Sequence, residues 1–172
     1  MRLIIGDDED LFLYMANIQI IIGSVMGTSE QIAEIASVQL SAMGHSVKLN
    51  TYASPNDLVR DPSEILLLCH SNTGAGDFPD NILPVYLHLT RDYPSLAGKR
   101  YGVINLCDSS YSTFNEAGRM LDAAFADVGA QRIGEPLLLD ACSGDDFQAL
   151  TIEWINHWGA LLDTAQAKGG TQ

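Results

Sequence analysis

Apolar residues in this chain occur in five short runs, separated by polar segments that contain glycine, proline, asparagine or aspartate. Most of these runs are continuous rather than alternating, which is typical of strands buried on both faces of a sheet. We therefore predict one strand within each of the segments 17–23, 46–52, 63–71, 100–106 and 135–141. Such strands are expected to form a parallel sheet with helices on both faces.

Three stripes of apolar residues at helical spacing predict amphipathic helices that pack on this sheet. They consist of Ile32, Ile35, Ala36, Leu40 and Met43; of Phe114, Ala117, Leu121, Phe125 and Val128; and of Phe147, Leu150, Trp154, Trp158, Leu161 and Leu162. Segment 80–93 is also predicted to be helical, with Asp80 or Asn81 as its N-cap and Pro84 in its first turn. Strands and helices thus alternate, so we expect an α/β domain that binds its ligand beyond the carboxyl ends of the strands.

The two ends of the chain do not follow this alternation. Asp7 and Asp8 superficially resemble the acidic pair of a phospho-receiver domain, but too few residues follow them to form a crossover helix between parallel strands. We interpret residues 1–14 as an N-terminal extension, or a loosely packed arm, ahead of a natural start at Met15. Residues 165–172 include Gly-Gly and no apolar anchor, and are predicted to be a flexible tail. The domain itself then covers residues 15–164.

The charge of the chain narrows the range of partners. Its 172 residues include 22 acidic and 9 basic residues, which gives a formal net charge of −13. This charge disfavours binding to nucleic acid and to anionic membranes, and it favours protein partners with a basic surface. The alternative is that the acidic residues only keep the protein in solution.

The cysteines and the lengths of the apolar runs bear on location. Three cysteines, an odd number at no metal-ligand spacing, follow a start that has no basic and apolar signal segment, which predicts a reducing cytoplasm. No apolar run approaches the roughly 20 residues needed to cross a bilayer, so no membrane association is expected.

The segment 23–29, called loop one here, is predicted to join the first strand to the first helix. Backbone N–H groups and the helix dipole favour an anion at such a place. Loop one contains no lysine or arginine and matches neither the phosphate-loop nor the dinucleotide glycine pattern. Its hydroxyls and accessible backbone would hold a phosphate monoester with neutral donors. Simple helix capping by the same residues is the alternative.

Two further loops follow predicted strands. Loop two, residues 71–81, contains Gly74 and Gly76 on either side of Ala75, so its backbone can adopt positive φ and lie against a flat ligand. Loop three, residues 105–115, offers the aromatic ring of Tyr111 beside the polar side chains of Asn105, Ser109 and Ser110. Because parallel strands end at the same edge of a sheet, the three loops together predict a pocket for an aromatic ring system that carries a phosphate.

The sequences GSVMGTS, SNTGAGDFPDNI and RYGVINLCDSSYSTF resemble, in this order, the three FMN-binding loops of the flavodoxin family. The sequence resembles in particular the short-chain members of the MioC and YqcA type and the FMN domain of sulfite reductase flavoproteins, and the resemblance covers about residues 15–162. It implies FMN as cofactor and a flavodoxin-like three-layer sandwich, an α/β fold with a five-stranded parallel sheet of order 2-1-3-4-5. Family members usually begin at the position of Met15.

The resemblance also implies which residues contact FMN. Those implied to hold the phosphate are Ser24, Val25, Met26, Gly27, Thr28 and Ser29. Those implied to flank the N5 edge of the ring are Thr73, Gly74, Ala75 and Gly76. Those implied to cover its other side and the pyrimidine edge are Leu106, Asp108, Ser109, Ser110 and Tyr111, with Tyr111 stacked on the ring and the loop supported by Phe114 and Asn115.

Three residues depart from the usual family pattern. Met26 stands where many flavodoxins have threonine. Thr73 replaces an aromatic residue that related FMN domains often have in loop two, a role for which Phe78 is the candidate substitute. Cys107 stands where glycine is common, and we interpret it as an inert small residue.

The function implied is that of a monomeric one-electron carrier between a flavin reductase and an acceptor such as a metalloenzyme. No nucleophile with an adjacent base and no metal-ligand set was found in the sequence, so no catalytic residue is predicted. His70 is the histidine nearest to the predicted pocket, and a structural hydrogen bond is expected for it rather than proton transfer. The alternatives are an FMN-dependent reductase or quinone reductase, and a regulatory module with weakened FMN binding.

Overall fold

The computed structural model describes residues 14–73 and 76–167. In these ranges the elements are β1 (Asn17–Gly23), α1 (Thr28–Ala42), β2 (Ser46–Asn50), β3 (Ile65–Ser71), α2 (Leu83–Asp92), β4 (Arg100–Cys107), α3 (Glu116–Asp127), β5 (Gln131–Arg132), β6 (Leu137–Asp140) and α4 (Phe147–Ala167). A short 3₁₀ helix, Pro55–Leu58, precedes β3.

The strands form one parallel sheet of order β2-β1-β3-β4-β5, in which β6 also pairs with β4. Two short strands therefore share the fifth position. β5 pairs with the start of β4, at Arg100 and Tyr101, whereas β6 pairs with its end, from Ile104 to Cys107. The predicted order 2-1-3-4-5 is confirmed, with β6 in the segment predicted as the fifth strand. β5 was not predicted, because two exposed polar residues carry no hydrophobic period.

Helices cover both faces of the sheet and create two hydrophobic cores. One core joins α1 and α4 to the sheet, and the other joins α2 and α3 to its opposite face. Successive residues of β3 alternate between them, with Leu67 in the first core and Leu66 and Leu68 in the second. This two-sided burial explains the continuous apolar runs of the central strands. β2, at the edge of the sheet, is partly exposed.

The helices agree with the predicted stripes and ends except at a few places. Phe114 was assigned to a helical stripe, but it precedes α3, which begins at Glu116. Leu161 on α4 is 38% exposed and does not belong to the core. The first turn of α2 contains Pro84 as predicted, but its N-cap is Ile82, so the assignment of this role to Asp80 or Asn81 was wrong. α4 continues to Ala167, so its last turn enters the segment predicted as a tail.

The start of the described chain packs on the domain. Tyr14 lies against the first core, and its hydroxyl accepts a hydrogen bond from the Arg100 guanidinium at 3.1 Å. The preceding residues of the predicted extension lie outside the described part of the chain. Within the described ranges, no helix has the length and apolar character that a membrane span requires.

Candidate functional site

The carboxyl ends of β1, β3, β4 and β6 surround a pocket of about 410 Å³. All three predicted loops contribute to its wall. The lining residues are Ser24, Val25, Met26, Thr28, Ser71, Asn72, Thr73, Leu106, Cys107, Asp108, Tyr111, Thr113, Phe114, Leu139, Ala141 and Phe147. The prediction that the loops meet at one sheet edge is therefore confirmed.

Loop one presents unpaired backbone donors at the start of α1. Gly27 is the N-cap residue and has a φ of 83°, a conformation that glycine adopts without steric cost. Its N–H donates to the Ser24 hydroxyl oxygen at 2.9 Å, which closes the loop. Within the described part of the chain, the backbone N–H groups without an acceptor include those of Val25, Met26, Thr28 and Ser29. Unpaired amides and a helix dipole at such a place favour an anion, without a cationic side chain.

The Asn81 side chain forms hydrogen bonds at the start of loop one instead of capping α2. Its amide oxygen accepts from the Ser24 N–H at 3.1 Å, and its amide nitrogen donates to the carbonyls of Ile22 at 3.1 Å and Thr51 at 2.9 Å. These partners are far away in sequence, so the local pattern that suggested an N-cap gave no indication of them.

Loop two turns back on itself and packs on loop three. Thr73 and Asp77 exchange backbone hydrogen bonds of 2.8 and 3.0 Å, which makes a narrow antiparallel bridge. Gly76 has a φ of 95°, and a Cβ atom there would lie 2.9 Å from the Thr113 Cβ atom. Gly76 is thus a contact point between the two loops and does not itself line the pocket. The predicted site residues Gly74 and Ala75 lie outside the described residues.

Two aspartates shape loop three. Asp108 accepts hydrogen bonds from the Ser110 N–H at 2.8 Å and from the Cys142 thiol at 3.0 Å, and Asp140 accepts from the Ser109 N–H at 3.0 Å. The hydrogen bond from the Ser110 hydroxyl is the main cause that lowers the pKa of Asp108. Ser109 and Ser110 therefore hold the loop rather than line the pocket, and Tyr111, which is 55% exposed, lies at its edge.

A hydrogen bond between two asparagine side chains fixes the junction between loop three and α3. Asn115 has a φ of 57°, and its side-chain oxygen accepts a hydrogen bond from the buried Asn105 amide. Gly118 provides the space, because a Cβ atom there would lie within 2.4 Å of both amide groups. The Asn115 side chain thus holds this junction, whereas Phe114 lines the pocket.

Several buried polar atoms at this edge of the sheet have no hydrogen-bond partner within the described residues. They are the Asn72 Oδ1, Asn105 Oδ1 and Ser29 Oγ atoms and both ring nitrogens of His70. Such atoms are uncommon in folded proteins, and a bound ligand or water often completes their hydrogen bonds. Of these residues, Asn72 lines the pocket directly.

His70 differs from its prediction. The ring is fully buried and approaches the Ser71 backbone, but the expected structural hydrogen bond is not formed within the described part of the chain. Burial lowers the pKa of His70 to about 4, so the ring is neutral at pH 7.

Cys107 and Phe78 are two residues at which the sequence departs from the family pattern or was expected to compensate for a departure. The Cys107 thiol lies 3.6 Å from the Leu139 carbonyl, and burial raises its pKa to about 11. The thiol is therefore protonated at pH 7, which supports its interpretation as an inert residue. Phe78 stacks on Tyr86 with a ring distance of 4.4 Å and does not line the pocket, so it does not replace an aromatic residue at position 73.

A fourth wall of the pocket was missed by the sequence analysis. Leu139 and Ala141 lie at the end of β6, and Phe147 begins α4. Phe147 packs against the first core, as its stripe predicts, and its place at the first position of the helix also brings it to the pocket. The detectable signal was the end of the fifth apolar run, which lies at the same sheet edge as loops one to three.

The chain is similar to a known family over most of its length. The family model described as Flavodoxin matches residues 20–154. Flavodoxin YqcA of Escherichia coli (strain K12) is 36% identical over 148 residues, which cover 86% of this chain and 99% of that protein. Protein MioC of the same strain is 35% identical over 150 residues, with the same coverage of both chains.

Solved structures give the same result. A cysteine-to-serine mutant of flavodoxin from Pseudomonas aeruginosa superposes with a TM-score of 0.78 at 33% identity, and the match covers 86% of this chain and 99% of that one. A flavodoxin from Streptococcus pneumonia TIGR4 superposes with a TM-score of 0.72 at 25% identity, over 84% and 99% of the two chains. The family match, the sheet order and the loops at its carboxyl edge agree, and the chain belongs to the flavodoxin family.

Proposed function

We propose that this protein binds FMN in the described pocket and carries single electrons between a flavin reductase and an acceptor protein. Members of the flavodoxin family bind FMN and act as electron carriers rather than as catalytic enzymes. The observation that carries the proposal is loop one, where residues with unpaired backbone amides line a pocket with an aromatic edge. When bound, FMN would supply the one-electron chemistry, and the protein would bind and orient it.

Loop one fits a phosphate in a strongly acidic protein. The amides of Val25, Met26, Thr28 and Ser29 are neutral donors, and the N-terminus of α1 adds a partial positive charge. The hydroxyl of Ser24 accepts from Gly27 and keeps its own hydrogen for donation. Loop one can therefore hold a phosphate although it contains no lysine or arginine.

The other walls fit a flat aromatic ring. Leu106, Phe114, Leu139 and Phe147 supply apolar surface, and Tyr111 is a half-exposed ring at the mouth. This arrangement would exclude water from the faces of the ring and leave one edge close to the protein surface, where electrons can be exchanged.

Acidic residues near the mouth affect the energy of reduction. Asp77 closes loop two and Asp108 lies in the pocket wall, within a protein of net charge −13. These charges disfavour additional negative charge on a bound group. We therefore propose a low reduction potential for the bound cofactor.

The distribution of charge supports a partner with a basic surface. Asp108 lines the pocket and Asp77 and Asp80 lie in loop two, whereas Lys99 precedes β4 and Arg100 begins it, at the opposite edge of the sheet. Long-range attraction between opposite charges accelerates association and weakens with salt. Electron transfer from the reduced protein to a basic probe protein, cytochrome c, is expected to slow as salt is added. A rate that does not depend on salt would contradict this docking mode.

The first test is a visible spectrum of the purified protein before and after addition of FMN, followed by stepwise photoreduction. Uptake of FMN and reduction in two separate one-electron steps are expected. A protein that neither takes up FMN nor quenches its fluorescence would contradict the proposal and favour a regulatory module. Oxidation of NADPH by the purified protein alone would favour a reductase instead.

Replacing Tyr111 by alanine is expected to weaken FMN binding by roughly 1 to 3 kcal/mol, because aromatic contact area at the pocket mouth is lost. Titration of FMN fluorescence with each variant measures the change. Tyr52→Ala is the matched control, because Tyr52 is 84% exposed and does not line the pocket. Equal affinities of the Tyr111 variant and the wild type would show that this ring does not contact the flavin.

A further inference from the structure

We propose that Asn81 is the positioning residue of loop one and that it makes the site selective for a phosphorylated flavin over the same ring without phosphate. This inference rests on the proposed function, since it concerns the loop assigned to the FMN phosphate. Asn81 itself does not line the pocket. It acts through Ser24 and Gly27.

Asn81 holds both sides of the point where β1 becomes loop one. Its side chain accepts from the Ser24 N–H and donates to the Ile22 carbonyl, so both neighbours of Gly23 are bound to a single amide group. A further hydrogen bond to the Thr51 carbonyl connects this group to the end of β2. An amide is required, because one donor group must serve two carbonyls while its oxygen accepts from an N–H.

Ile82, the next residue, holds the same point by packing. A Cβ atom at Gly23 would lie 2.8 Å from the Ile82 side chain and 2.9 Å from the His70 Cβ atom. The chain at Gly23 is thus confined by contact on one side and by the hydrogen bonds of Asn81 on the other. Such a confined junction cannot shift without loss of one of these interactions.

The effect of Asn81 extends to the N-terminus of α1. With its N–H directed to Asn81, Ser24 places its hydroxyl oxygen where the Gly27 N–H donates to it at 2.9 Å. Gly27 is the N-cap of α1, with a φ of 83°. A continuous series of hydrogen bonds therefore runs from Asn81 through Ser24 to the N-cap, and it sets the direction of the unpaired amides that would hold the phosphate.

The location of Asn81 also links two loops of the site. It is the last residue of loop two, the loop that the family resemblance places at the flavin ring. A displacement of this end of loop two would move Ser24, and an anion bound to loop one would in turn restrain it. Phosphate binding and the position of loop two are therefore coupled through one side chain.

The test compares dissociation constants for FMN and for riboflavin, which has the same ring without the phosphate. The wild type is expected to bind FMN much more tightly. In Asn81→Ala and in the isosteric Asn81→Asp, FMN affinity is expected to fall roughly 10- to 100-fold, which corresponds to the loss of two or three hydrogen bonds. Riboflavin affinity is expected to change by less than about threefold, because the ring pocket is intact.

Asn50→Ala is the matched control. Asn50 is also half-buried and also donates and accepts hydrogen bonds, to Gln19 and from the Tyr52 N–H, at the end of β2. The hydrogen bonds of its side chain within the described residues do not involve loop one, so the ratio of FMN to riboflavin affinity is expected to equal that of the wild type. Far-UV circular dichroism and unfolding in urea establish that each variant is folded.

The outcomes separate this inference from the proposed function. A wild type that binds neither FMN nor riboflavin would overturn both. A wild type that binds FMN, with Asn81 variants that keep its ratio of FMN to riboflavin affinity, would overturn the role of Asn81 alone. An equal loss of affinity for FMN and for riboflavin would also overturn the role of Asn81, because a merely structural role predicts that both affinities fall together. If Asn81→Ala does not fold, Asn81→Asp decides the question by the same ratio.

Discussion

Replacement of Trp158 by alanine is expected to lower the free energy of unfolding by about 3 to 5 kcal/mol. Trp158 is 1% exposed and is the largest fully buried side chain in the described chain. Its ring fits against Gly102 of β4, where a Cβ atom would lie 2.5 to 2.7 Å from the indole. Its Nε1 donates to the Ile133 carbonyl at 3.0 Å, so the variant would also leave this buried acceptor without a partner.

Unfolding in urea, followed by far-UV circular dichroism, measures this loss without depending on tryptophan fluorescence. The free energy of unfolding of Trp158→Phe is expected to fall clearly less than that of Trp158→Ala, because much of the ring volume remains. FMN affinity of the folded fraction is expected to be unchanged, since Trp158 does not line the pocket. A loss below about 1 kcal/mol for the alanine variant would show that α4 packs on the sheet independently of this residue.

The contact of Trp158 with the sheet illustrates what a periodic pattern predicts well. Helical spacing correctly assigned Trp158 and Leu162 to the core, because burial of one helix face depends mainly on sequence period. The same pattern wrongly assigned Leu161, which lies beside Leu162 at the border of the apolar face and is 38% exposed. Such border positions depend on the exact rotation of the helix, which is set by packing and not by period.

The candidate site was predictable to the extent that it depends on topology. A parallel sheet places the loops after its strands at one edge, and the structure brings Ser24, Thr73 and Tyr111 to one pocket there. Contacts within and between loops were not predictable. Ser110 bonds to Asp108 within its own loop, and Asn81 bonds to three partners outside loop two, because these choices depend on distances that no local pattern contains.

The second large effect concerns pH. The protein is expected to lose stability as the pH falls from 7 to 5, with a loss of about 2 kcal/mol from His70 alone. Burial lowers the pKa of His70 from 6.5 to about 4 in the folded protein, so the unfolded chain binds this proton more readily. The contribution of His70 is therefore complete above about pH 6.5 and decreases as the pH falls towards 4.

His45 acts in the same direction, because burial lowers its pKa while Asp163 opposes the shift. The aspartates whose pKa values are lowered, such as Asp57 and Asp61, stabilise the folded protein equally at pH 7 and pH 5. This stabilisation is lost only as the pH falls to their ordinary pKa of 3.8 and below. The loss between pH 7 and 5 is thus assigned to buried histidines, of which His70 is the more deeply buried.

Unfolding in urea at pH 7 and at pH 5 measures this dependence, and both values lie above the isoelectric point of about 4.3. His70→Leu is expected to remove most of it and to raise stability at pH 7, because leucine has no ring nitrogens to leave unpaired in the core. His157→Gln is the control, since His157 is exposed. A His70→Leu variant that keeps the full pH dependence, or that is less stable than the wild type at pH 7, would show that the His70 ring has a favourable partner in solution.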